Sequence, residues 1–100
     1  MNRTSLPQTQ IRVLVADDHP IVRQGVIANV KPQPDMTIVA EAGDGVEALE
    51  LIKEHRPDVV LLDLRMPQMD GLEVLAAVSS SKLPSRVVIM TTFDCEEDVH

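Results

Sequence analysis

The chain has one cysteine, one aromatic residue, four glycines and no tryptophan or tyrosine among its 100 residues. With Cys95 alone, no internal disulfide can form, which excludes a secreted scaffold stapled by cystines. Phe93, the single aromatic, reads as a packing anchor rather than a recognition residue. Apolar runs such as residues 59–62 are far too short to span a bilayer. Residues 1–10 are polar and carry no hydrophobic signal region. Positive charge is also scarce: nine Lys and Arg stand against sixteen Asp and Glu, a formal charge of −7. Arg3, Arg12, Lys31, Lys53, Arg56 and Arg86 are scattered rather than striped. Direct binding of nucleic acid or an anionic membrane by this chain is therefore disfavoured. The expectation is a cytoplasmic protein without membrane contact.

What remains suits one globular domain. Hydrophobic residues at 44% and charged residues at 25% exclude disorder throughout the chain. Residues 1–10 lack periodicity and read as a flexible tail. Residues 11–16 form a β-branched apolar run that ends at Asp17 and Asp18, as in a parallel strand buried on both faces. Pro20 suits a helix N-terminus, and Ile21, Val22, Val26 and Val30 recur at helical spacing until Pro32 and Pro34. Residues 37–42 (TIVAEA) read as a second strand. Asp44 with Glu47 resembles a capping box, ahead of a second helix with Val46, Leu49 and Ile52 as its apolar stripe, stopped by Pro57. Residues 58–62 (DVVLL) form a third strand ending at Asp63. After a loop with Pro67, Asp70 and Gly71, a third helix carries Leu72, Leu75 and Val78. Residues 86–90 (RVVIM) give a fourth strand ending at Thr91 and Thr92. Asp94, Glu96, Glu97 and Asp98 suit the first turn of another helix. This βαβαβαβ alternation implies an α/β domain: a parallel sheet with right-handed crossovers and helices on both faces.

Asp17 and Asp18 end the first strand and Asp63 ends the third. Ligands of doubly wound sheets bind beyond the carboxyl ends of strands, where the winding reverses. If strands one and three are neighbours, the three carboxylates share a pocket. Two such charges about 4 Å apart repel by roughly 4 kcal/mol at an effective dielectric near 20. A divalent cation offsets that repulsion, and hard oxygen ligands on an open loop favour Mg²⁺ over zinc. A carboxylate there can attack phosphorus to form an acyl phosphate. Thr91 offers a hydroxyl to the phosphoryl group, or simply finishes its strand. For any one of the aspartates alone, strand end or helix cap is the simpler account. His19 adjoins the acidic pair, where it could touch an incoming donor, but reads first as a solvated helix-start residue, and His55 as a favourable charge near a helix end. Cys95 and His100 lack the companions a zinc site needs.

Three stretches together resemble the response-regulator receiver family: VLVADDHPIVRQG (13–25), DVVLLDLRMPQMDG (58–71) and VVIMTTFD (87–94). The first is similar to receivers in transcription regulators with a C-terminal LuxR/NarL-type helix-turn-helix. The resemblance covers residues 11–100 and implies a flavodoxin-like doubly wound sheet of order 2-1-3-4. It implies Asp63 as phosphoacceptor, and Asp17 and Asp18 as the acidic pair that organises Mg²⁺, with Asp18 a direct ligand. It further implies the Arg65 backbone carbonyl as a ligand, Thr91 as switch hydroxyl and Thr92 as the small residue beside it. Met66, Pro67, Asp70 and Gly71 shape the loop. The implied partner is a sensor histidine kinase, in a phosphorelay controlling transcription, and the chain itself is not an enzyme.

Members of the family usually continue through a further helix, strand and helix, including a lysine that contacts the phosphoryl group. No lysine follows Lys82 here, so the fold is expected to be truncated after the fourth strand, with weaker phosphoryl stabilisation. The uncovered fourth strand and bared sheet face are then expected to favour self-association. Two other functions are distinguishable. An aspartyl phosphatase usually places a carboxylate two residues after its nucleophile, where this chain has Arg65. A degenerate interaction module would no longer accept phosphate or bind Mg²⁺.

Overall fold

In the computed structural model, residues 10–66 and 68–90 are described. Strands and helices alternate: β1 (Ile11–Ala16), α1 (Pro20–Val30), β2 (Met36–Ala42), α2 (Gly45–His55), β3 (Val59–Asp63), α3 (Gly71–Ser80) and β4 (Arg86–Met90). All pairings are parallel, in the order β2-β1-β3-β4. This is the flavodoxin-like doubly wound sheet, with its winding reversal between β1 and β3.

The side-chain alternation of the strands divides the core in two. Leu14, Ala16, Val60 and Leu62 pack with Ala48 and Ile52 of α2 and Val74 and Val78 of α3. Val13 and Val15 point the opposite way and pack with Ile27 and Val30 of α1. Leu14, Val15, Val60 and Leu62 are completely buried, each such side chain stabilising the fold by about 1.5–3 kcal/mol. Val88 of β4 is an exposed apolar side chain on the outermost strand among the described residues.

The strands fall within one residue of their sequence-based limits, but the helix faces differ. Ile21 is 87% exposed, and the buried residues of α1 are Ile27 and Val30. In α2 the inward face is Gly45, Ala48 and Ile52, with Leu49 partly buried and Val46 exposed. In α3 Leu72 is 60% exposed, while Val74 and Val78 are buried. Each of these helices has apolar residues on more than one face, so packing against the sheet, rather than the local pattern, selects the buried one.

The caps also differ. Asp44 accepts from the Glu47 backbone N–H, but the Glu47 carboxylate accepts from Gly43 N–H, one residue before the position a reciprocal box requires. The complete box is at α3. There Asp70 accepts from Glu73 N–H and Glu73 from Asp70 N–H, each at 2.9 Å.

Candidate functional site

Asp17 and Asp63 reach the same end of the sheet because β1 and β3 are adjacent and parallel, Ala16 pairing with Leu62. Both residues are almost fully buried, at 1% and 3% exposure. Each turns back to bind the backbone two residues on, as short acidic side chains do at turns. Asp17 Oδ1 accepts from His19 N–H at 2.8 Å, and Asp63 Oδ1 lies 3.4 Å from Arg65 N. Asp18, in the middle of the first of these turns, is partly exposed.

Candidate ligand atoms of Asp17, Asp18, His19 and Asp63 all lie within 4.8 Å of one another. The convergence expected of residues 17, 18 and 63 is therefore present. Asp17 Oδ2 is buried and has no hydrogen-bond partner among the described residues. A buried carboxylate oxygen left without a donor is costly. A bound cation would satisfy it, so the donor set fits a hard divalent ion.

His19 is not simply a solvated helix-start residue. Its side chain is 52% exposed, yet Nδ1 lies 3.0 Å from both Asp17 Oδ1 and Asp18 Oδ1 and 3.8 Å from Asp63 Oδ2. The hydrogen bond to Asp17 raises the imidazole pKa above its ordinary value, partial desolvation opposes this, and the charges of Asp18, Asp17 and Asp63 reinforce the rise.

Two features hold this end of the sheet together without any signal in the sequence pattern. Arg23 of α1 donates from Nη1 to the Asp17 carbonyl at 2.7 Å, and its Nε pairs with Glu41 of β2 at 3.3 Å. It thus ties the end of β1 to the end of β2, a contact visible only once the three elements are assembled. Gly45, at the start of α2, lies so close to the loop after β3 that an added Cβ would collide with the Met69 carbonyl. Gly71, singled out as loop-shaping, is also a close approach: a Cβ there would lie 2.6 Å from the Asp63 carbonyl oxygen. Its N–H donates to Leu64 O at 2.9 Å.

The remaining predicted positions fall around these. Met66 is buried in the α2–α3 side of the core, and Asp70 caps α3. An open cleft of about 640 Å³ beside the carboxylates is lined by Asp18, His19, Leu64, Arg65, Met66, Asp70 and Leu72. Asp63 pairs in register with Met90, the last described residue of β4. Thr91, Thr92 and Pro67, with Phe93, Cys95 and His100, lie outside the described residues. Among the described residues, no helix is long and apolar enough to cross a membrane.

Fold and site together define a doubly wound α/β domain with an acidic pocket at its switch point. The chain belongs to the response regulator receiver domain family, which it matches over residues 13–100. It is 52% identical over 91 residues to the probable transcriptional regulatory protein NarL of Mycobacterium tuberculosis, covering 90% of this chain and 42% of that protein. It is 41% identical over 92 residues to the nitrate/nitrite response regulator protein NarL of Escherichia coli K12, covering 92% and 43%. The solved receiver domain of the putative M. tuberculosis regulator NarL superposes with a TM-score of 0.79 at 54% identity, over 80% of this chain and 64% of that one. A LuxR-family DNA-binding response regulator from Staphylococcus aureus gives 0.78 at 40% identity, over 83% and 69%. The chain spans less than half the length of these curated relatives. Receiver domains are generally signal transducers that bind Mg²⁺ in an acidic pocket, and Asp17, Asp18 and Asp63 cluster in this chain.

Proposed function

We propose that Asp63 accepts a phosphoryl group from the phosphohistidine of a sensor histidine kinase. The observation that carries this reading is the meeting of Asp63 with Asp17 and Asp18 beside an open cleft. An Asp63 carboxylate oxygen attacks phosphorus. The phosphorus–nitrogen bond breaks with its electron pair going to the imidazole, which takes up a proton. Asp17, Asp18 and Asp63, with the Arg65 carbonyl, would hold Mg²⁺, which when bound supplies charge stabilisation for the phosphoryl oxygens. The turn between Asp63 and Arg65 helps to fix the nucleophile, and Gly71 lets the following helix approach it closely. Thr91 acts as the hydroxyl partner of the phosphoryl group, and Thr92, beside it, keeps that position small. Pro67 shapes the loop.

Phosphorylation then shifts the domain between two states. A regulator carrying this domain would control transcription, in line with relatives described as a probable transcriptional regulatory protein and a DNA-binding response regulator. A second contact, self-association, is supported by the exposed Val88 on the outermost described strand. The test of the phosphoryl reading is intact-mass analysis after incubation with Mg²⁺ and a small acyl phosphate. One added phosphoryl group on the wild type, lost in Asp63→Asn, is the expected result. An unmodified wild type, or an unchanged adduct in the variant, refutes it.

A further inference from the structure

His19 stands at the N-cap of α1 but makes no side-chain capping bond. Its ring turns instead to the acidic cluster, where Nδ1 keeps 3.0 Å from one oxygen each of Asp17 and Asp18. Adjacent ligands in an octahedral shell with bonds near 2.1 Å stand about 3.0 Å apart. The ring is also fixed at its base. The His19 N–H is held by Asp17 Oδ1 at 2.8 Å, and Pro20, which follows, restricts the backbone of the residue before it. Independently of the acidic cluster's charge, the 1%-exposed Asp17 side chain keeps Oδ2 without a hydrogen-bond partner among the described residues. That buried oxygen calls for a cation at this place.

Resting on the reading that Asp17, Asp18 and Asp63 hold a divalent ion, we propose that His19 Nδ1 is a further ligand, so that this site prefers Mn²⁺ and later first-row ions to Mg²⁺. Mg²⁺ is a hard ion that takes oxygen donors and retains water, and gains little from an imidazole. Mn²⁺ and its heavier neighbours accept nitrogen more readily, with affinity rising along the row towards copper. A three-carboxylate site alone discriminates weakly among these ions; a nitrogen donor at its edge changes the ranking. The half-exposed position of the ring leaves the ligand accessible from the cleft rather than sealed beneath it.

The test uses the 100-residue chain loaded with Mn²⁺ and examined by pulsed electron paramagnetic resonance. Directly coordinated imidazole nitrogen is expected in the wild type and absent in His19→Ala and His19→Gln. Calorimetric titration should show the Mn²⁺ to Mg²⁺ affinity ratio falling by about tenfold in both variants, within the range by which ligand-sphere changes alter metal affinity. Mg²⁺ affinity itself should change by less than about threefold. Bound Mn²⁺ without nitrogen coupling in the wild type, coupling that survives both substitutions, or an unchanged ratio overturns the assignment of His19. A wild type that binds Mg²⁺ and Mn²⁺ without nitrogen coupling refutes His19 alone. One that binds neither refutes the carboxylate site as well.

Discussion

Replacing Asp63 with asparagine removes one of three negative charges whose oxygen atoms lie within 4.8 Å of one another, while leaving the side-chain shape almost unchanged. At that separation each carboxylate pair repels by about 3.5 kcal/mol at an effective dielectric near 20. Asp63 takes part in two such pairs. A protonated His19, 3.8 Å away, returns about 4 kcal/mol of attraction on the same scale. The balance leaves Asp63 costing the cation-free fold about 3 kcal/mol on this scale, and about 1–3 kcal/mol once solvent screening of the partly exposed Asp18 and partial relaxation are allowed for. Asp63→Asn should therefore be more stable than the wild type in urea unfolding with a chelator present.

The gain should grow as pH rises and His19 loses its charge, because the attraction fades while the repulsion stays. Adding Mg²⁺ should reverse the order. At a free concentration of a hundred times Kd, the wild type gains about 2.7 kcal/mol, and the variant, with fewer charges to hold the ion, gains less. A variant no more stable than the wild type in chelator, or one that gains as much from Mg²⁺, would refute the electrostatic account of the pocket.

Gly71→Ala should destabilise the chain by about 1–3 kcal/mol, since its Cβ would press on the Asp63 carbonyl; urea midpoints check this, and a neutral result would remove the close approach as a constraint. Gly45→Ala should cost more than Gly71→Ala, because its Cβ would fall deeper into the Met69 carbonyl, and should slow phosphorylation of Asp63, read by intact mass over time. Asp70→Ala opens the reciprocal cap of α3 and should lower stability by about 1 kcal/mol, within the usual range for such caps, whereas Asp44→Asn should retain the Glu47 bond and change little. The raised pKa of His19 gives the metal-free protein a stabilising contribution that is fully present below the ordinary histidine value and lost as pH rises through the higher folded value. Stability of His19→Ala should lack that loss, and proton NMR of the wild-type ring should show its midpoint above that of a free imidazole.

The strands and the acidic trio were legible because each depends on a local feature: an unbroken β-branched run, and the aspartate that ends it. The alternation alone leaves the adjacency of β1 and β3 open; the order 2-1-3-4 comes from the family resemblance, and with it residues distant in sequence can be assigned to one pocket. The helix faces were less legible. Ile21 and Leu72 satisfy helical spacing as well as Ile27 and Val74 do, and only docking on the sheet decides which are buried. The capping box of α3 was there to be read, as Asp70 three residues before Glu73, but Asp44 with Glu47 has the same spacing and forms only half the motif. Arg23 and Gly45 had no readable signal. Their roles lie in contacts with Asp17 and Met69, across segments whose approach is fixed by the assembled fold.

Those contacts explain how a site built from mutually repelling groups keeps its shape. The aspartates occupy turns closed by their own backbone: Asp17 through His19 N–H, and Asp63 through the turn to Arg65. Arg23 adds a positive charge at the Asp17 carbonyl rather than at its carboxylate, so it anchors the strand end without donating to the oxygens a cation would use. On the other side, α2 and α3 meet the loop after β3 through glycines, where backbone faces backbone and no side chain can yield. Relaxation that would spread the carboxylates must therefore move β1, α2 or α3. Moving any of them opens the core around Leu14, Val60 and Leu62, where the loss of even one buried leucine side chain costs about 2–5 kcal/mol. That penalty is as large as the repulsion it would relieve, so the pocket retains its shape and the energy of repulsion remains to be offset by a cation.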